Sequence, residues 1–150
     1  MRKIYLLLLL IIFYNFLAAQ TIVQRDPQIE QMVKEVSADS LKSYITKLVS
    51  FGTRNTLSTQ TDPKRGIAAA RSWVVNRFNE IAKSSNGRLT SFLDTVTLGI
   101  SRRVDAPTLL GNAVATLKGS NPSDNRIFII SGHLDNMRTD VMDRTGDAPG

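Results

Sequence analysis

Apolar residues recur every three to four positions over roughly the first half of the chain, then alternate or run together. The first spacing predicts helices and the second predicts strands. Asp26-Pro27 opens a first helix, because Asp caps free amide groups and Pro fits the first helical position. Ile29, Met32, Val33 and Val36 then share one face. A second helix follows from about Ser40, with Leu41, Tyr44, Ile45, Leu48 and Val49 on its apolar side. Phe51-Gly52 ends it, Gly being able to take the left-handed conformation at a helix end. Residues 53–61 (TRNTLSTQT) read as a polar loop. Asp62-Pro63 repeats the start signal and predicts a third helix to about Lys83, with Ile67, Ala70, Trp73, Val74, Phe78 and Ile81 on one side. Ser84-Ser85-Asn86-Gly87 stops it.

Beyond Gly87 the period changes. Residues 91–99 (SFLDTVTLG) alternate imperfectly and predict a strand, and residues 113–117 (AVATL) predict a second. Residues 126–131 predict a third, whose unbroken apolar run suits burial on both faces. Asn121-Pro122-Ser123-Asp124-Asn125 is dense in turn formers, so the two strands flanking it are expected to pair as a hairpin. No periodicity survives after Asn136. Helices followed by strands give an α/β class, and a strand buried on both faces needs layers on each side. Three helices and three strands begin such a sheet without completing it, so the expectation is the front part of a larger domain.

The first twenty residues stand outside this pattern. Arg2 and Lys3 precede the apolar residues 6–13, and Leu17-Ala18-Ala19-Gln20 offers small residues for cleavage. That is the layout of a secretory signal peptide. Asn15 interrupts the run well short of the ~20 residues a spanning helix needs, so no stable membrane anchor is expected. The expected organisation is a signal peptide at 1–20, a helical segment at 21–87 and the start of a catalytic core at 88–150. The chain has no cysteine, which excludes disulfides and thiolate metal sites. An exported, disulfide-free protein suits a bacterial periplasm or exterior. The net charge is +6, of which Arg2 and Lys3 supply two. The other basic residues are scattered and not interleaved with aromatics, so nucleic-acid binding is not supported.

The only histidine lies in residues 127–136 (IFIISGHLDN). On extended backbone, side chains at i and i+2 point the same way, so His133 and Asp135 face together. The carboxylate can take one imidazole N–H, fix the tautomer and leave the other nitrogen for a cation. The third strand would place this pair at the sheet's carboxyl edge, where open α/β sheets carry their sites. A lone histidine in such a place is more often a hydrogen-bonded structural residue than a ligand, and spacing alone leaves the metal reading the less common one. One histidine also falls short of the roughly three protein ligands of a catalytic zinc. Asp140, Asp143 and Asp147 match no calcium-loop spacing and read as a solvated acidic loop.

Several motifs in order carry a resemblance. Asn112-Ala113-Val114 is followed by Gly119, then Gly132-His133-Leu134-Asp135-Asn136, then Ala148-Pro149-Gly150. Upstream lie Ser50-Phe51-Gly52-Thr53-Arg54-Asn55-Thr56 and the helix of Trp73. This series resembles metallopeptidase family twenty-eight, the zinc aminopeptidases that include the bacterial leucyl aminopeptidases. Leu134 and Asn136 depart from the family's usual Tyr and Ser, at positions that bind no metal. The resemblance implies a mixed sheet in an α/β/α sandwich of the zinc-exopeptidase kind, here incomplete. It implies a metal-ligand role for His133 and a catalytic, histidine-orienting role for Asp135. It implies one or two zinc ions and peptide substrates with a free N-terminus, hydrolysed by metal-activated water. The family's remaining ligands and its general-base glutamate fall beyond Gly150, so the 150-residue chain is expected to be inactive alone. A glutaminyl cyclase or carboxypeptidase on the same scaffold, or a non-catalytic remnant, remains open on these residues.

Overall fold

The computed structural model describes residues 25–149, so the signal peptide expected at 1–20 lies outside the described residues. Contacts divide the chain into two units, with the boundary after Ala38. The first contains α1 (Pro27–Lys34), which begins as the sequence predicts. Pro27 occupies the first turn, and the Asp26 carboxylate accepts the amide N–H of Gln28 at 2.8 Å. Glu30 in the first turn and Lys34 in the last complement the helix dipole.

The second unit holds all but the first residue of α2 (Ala38–Val49), and α3 (Gly66–Ala82), β1 (Leu89–Leu98) and β2 (Thr108–Leu117). Among the described residues, three helices and one two-stranded antiparallel sheet make an incomplete α/β fold. None of the described helices is long and apolar enough to cross a membrane.

Gly52 takes φ +69° just after α2, the left-handed conformation expected of it. A Cβ there would meet only the ends of the Arg65 and Asp147 side chains, which can move aside, so the positive φ is what favours glycine. The third helix corrects the expectation. It starts at Gly66 and not at Asp62-Pro63. Gly66 has φ +83°, which a right-handed helix cannot continue through, so residues 62–65 are kept out of it. Asp62 instead closes a turn on the Lys64 amide at 2.7 Å. The α3 amide of Ile67 is capped from a distance by the hydroxyl of Ser58, at 2.9 Å.

β1 and β2 form a hairpin in register from Leu89 opposite Leu117 to Leu98 opposite Thr108. Both strands are longer than the alternation suggested, because each extends into residues satisfied by its partner's ladder. The connection is tightened by a bridge between Ser101 and Val104. The expected hairpin around residues 121–125 is therefore not the one formed. Those residues do turn, with the Asp124 amide donating to the Asn121 carbonyl at 3.2 Å. Residues 126–131, however, carry no ladder, and Ile127, Phe128, Ile129 and Ile130 are 82–99% exposed. An apolar extended run becomes a strand only against a neighbour, and no described residue pairs with it.

α3 packs on both strands. Its buried Arg71 donates to the Leu109 carbonyl of β2 at 3.0 Å and to Gln60 Oε1 at 2.5 Å, and burial lowers its pKa. The core is small. Phe51, Ala69 and Ala70 are buried together, with Leu48, Trp73 and Leu134 packed against them. The rings of Phe51 and Trp73 lie 6.3 Å apart, and Tyr44 meets Trp73 edge-on at 6.0 Å. Trp73 is thus a core residue, as its helical position suggested.

With so few buried side chains, Phe51 carries an unusual share of the apolar burial. Phe51→Ala is expected to cost about 3–5 kcal/mol of unfolding free energy. Ile100→Ala, at an exposed position, should stay within about 0.5 kcal/mol. Urea unfolding followed by Trp73 fluorescence measures both.

Candidate metal half-site

The pair His133 and Asp135 does meet. Nδ1 of His133 lies 3.1 Å from Oδ1 of Asp135. The imidazole is almost fully exposed, at 95%, and the carboxylate is half-exposed, at 47%. With Asp135 ionised, the proton belongs on Nδ1 and the lone pair on Nε2, which is turned to solvent. The expected position at a sheet edge is not found, because residues 126–131 form no strand. The two residues are neighbours at i and i+2, and no strand positions them.

What holds this segment is a loop about eighty residues earlier. Residues 53–58 are knitted by their own side chains. Thr53 Oγ1 accepts the Asn55 amide at 3.2 Å, Asn55 Oδ1 accepts the Leu57 amide at 2.8 Å, and the Ser58 hydroxyl donates to the Asn55 carbonyl at 2.6 Å. Such short polar side chains compete well for turn amides. The loop then clasps residues 134–136. The Arg54 amide donates to Asn136 Oδ1 at 2.7 Å, and the Asn136 amide returns a bond to the Arg54 carbonyl at 3.3 Å. Arg54 Nε donates to the Leu134 carbonyl at 2.9 Å, and Nη1 to the Leu48 carbonyl at 2.8 Å. One guanidinium therefore satisfies a carbonyl in the last turn of α2 and one beside the histidine. Asn136 also donates to the Ala148 carbonyl.

Arg54 is 7% exposed. Burial lowers its pKa, and the nearby Asp135 carboxylate opposes that shift. Asp135 itself accepts a second bond, from the Thr56 hydroxyl to Oδ2 at 3.3 Å. Sequence spacing picked out His133 and Asp135 but not Arg54, Thr56 and Asn136 as their supports. All three lie in motifs that carry the family resemblance, and residues 53–61 read as a polar loop, but neither sign reveals what the loop touches.

The acidic loop has other work. Asp140 accepts the Met142 amide at 2.9 Å. Asp143 accepts the amides of Gly146 at 2.8 Å and Thr145 at 3.1 Å, and these bonds hold its carboxyl below the usual range. Asp147 pairs with Arg65 at 2.6 Å. Among the described residues no group of three or more His, Asp or Glu side chains could hold a metal ion. The pair is suited to one imidazole ligand with an oriented Nε2, and the described residues do not complete a zinc site around it.

Comparison with known proteins gives this geometry a context. The chain is similar to fungal proteins named probable zinc metalloproteases. It is 42% identical over 125 residues to one from Leptosphaeria maculans, which covers 83% of this chain and 29% of the relative. One from Pyricularia oryzae is likewise 42% identical over 125 residues, covering 83% of the chain and 25% of the relative. One from Phaeosphaeria nodorum is 43% identical over 129 residues, again covering 83% and 25%. The chain thus spans between a quarter and a third of the length of these relatives. No family model and no solved structure matches it.

Arg54→Met keeps the aliphatic stem and removes the donors to Leu134 and Leu48. We expect a loss of about 1–3 kcal/mol, the usual penalty for buried groups left unpaired. Amide exchange at Asn136 should quicken before that of the β1–β2 ladder. Exchange mass spectrometry or NMR reads both.

Proposed function

We propose that the chain is part of an exported zinc-dependent aminopeptidase, in which His133 is a zinc ligand and Asp135 the carboxylate that orients it. The observation that carries the reading is the 3.1 Å contact between Nδ1 and Oδ1, which leaves Nε2 exposed. It is supported by the relatives' shared name of probable zinc metalloprotease. The narrower assignment to an aminopeptidase rests on the resemblance of residues 112–119, 132–136 and 148–150 to the zinc aminopeptidases, and implies peptide substrates with a free N-terminus. Export rests on residues 1–20.

The chemistry a bound zinc ion supplies is activation of water and polarisation of the peptide carbonyl. This chain's own contribution is to present one neutral imidazole with a fixed tautomer. A carboxylate on the far nitrogen raises the ligand's basicity and holds the ring's direction. The 150 residues alone should release no amino acid from aminoacyl-nitroanilides, since the described residues supply no three-ligand site and a catalytic zinc needs about three protein ligands.

The test uses a protein of the relatives' length carrying this sequence. His133→Ala should abolish aminopeptidase activity and lower bound zinc. Asp135→Ala should lower zinc affinity or activity about 10–100-fold, as loss of a ligand's supporting carboxylate does. Undiminished activity in His133→Ala would remove the histidine from the site.

A further inference from the structure

Asp135 accepts two bonds, one on each oxygen. His133 Nδ1 is 3.1 Å from Oδ1, and the Thr56 hydroxyl is 3.3 Å from Oδ2. A half-exposed Asp side chain with one partner can swing about its final torsion, which is soft and nearly two-fold. A second contact on the other oxygen, at the long end of hydrogen-bond distance, restricts that torsion. Thr56 is well placed for this. Its own loop is buried at Thr53, Arg54, Asn55 and Ser58, and the Arg54–Asn136 bonds tie that loop to the segment carrying Asp135. Both ends of the Thr56–Asp135 contact are therefore anchored by other interactions, and the hydroxyl need not order them.

We propose that Thr56 is a positioning residue for the half-site: its hydroxyl holds Oδ2 of Asp135, so that Oδ1 faces Nδ1 of His133 and Nε2 is left unprotonated for a cation. The inference rests on the reading of His133 as a ligand but concerns only the tautomer, which exists without metal. Two effects oppose each other when the hydroxyl is removed. The carboxylate becomes a slightly stronger acceptor, and it loses its orientation. Because Asp135 is half-exposed, water replaces the lost hydrogen bond but not the lost direction, so orientation dominates.

The test exploits the single histidine. In the full chain labelled with ¹⁵N-histidine, long-range ¹H–¹⁵N spectra at alkaline pH report the ratio of Nδ1–H to Nε2–H tautomers of His133 without overlap. The wild type should favour Nδ1–H. Thr56→Val should lower the ratio about two- to tenfold, the factor equivalent to one net hydrogen bond, moving it toward the value for Asp135→Asn. Thr56→Ser, which keeps the hydroxyl, should restore it. Amide protection at Asn136 shows that the loop remains docked. If Thr56→Val undocks it, Thr56→Ala removes the same hydroxyl without the second branch, and the same fall is expected. An unchanged ratio in a docked hydroxyl-free variant, or a wild type that favours Nε2–H, would overturn the proposal. Neither result bears on whether His133→Ala loses zinc, so the two readings fail separately.

Discussion

The docking of residues 134–136 on the rest of the second unit depends on one buried cation. Arg54 sits between the end of α2 and the segment after His133, donating to the carbonyls of Leu48 and Leu134 while its backbone exchanges bonds with Asn136. Burying a guanidinium is expensive unless its donors are satisfied. Here carbonyls do most of that work, and Asp135 contributes through its field rather than by an ion pair. The consequence is that two stretches about eighty residues apart are fixed edge to edge. Leu134 is brought onto Phe51, Ala69 and Ala70, and the histidine pair next to it inherits that anchorage. Core and site share one clamp.

This arrangement explains why a nearly fully exposed histidine can still be well directed. His133 has few packing neighbours to hold it. Its ring is aimed through a chain of contacts: Arg54 docks the loop, the loop carries Thr56, Thr56 meets Asp135, and Asp135 meets Nδ1. An exposed Nε2 suits a ligand that must be joined by others, whereas a structural histidine would more commonly be buried with both nitrogens engaged.

The local signals were legible in the sequence and the long-range ones were not. Asp26-Pro27 marked α1, and Gly52 marked the end of α2, because capping and left-handed glycine are decided within a few residues. The i, i+2 relation of His133 and Asp135 survived for the same reason. Asp62-Pro63 imitates the cap of α3, while the real constraint on its start is the positive φ of Gly66 and a hydroxyl at Ser58. The hairpin forms between β1 and β2 and not across residues 121–125. The turn at residues 121–125 reads as a hairpin turn, yet β2 has its partner on the other side, through the nine-residue connection 99–107, whose turn formers are spread out and not clustered. Residues 127–130 have strand composition without a strand's neighbour. The partnership of Arg54, Thr56 and Asn136 was invisible, since nothing in a polar loop states which distant backbone it will meet.

The central claim is that His133 binds zinc through Nε2 while Asp135 holds Nδ1. Anomalous diffraction at the zinc edge, from crystals of a protein of the relatives' length that carries this sequence, tests it most directly. The account predicts a zinc peak about 2.0–2.1 Å from Nε2 of His133, with Nδ1 still against Asp135. A zinc peak coordinated by other residues with the His133 ring unattached, or one bound through Nδ1 with Asp135 displaced, would contradict it.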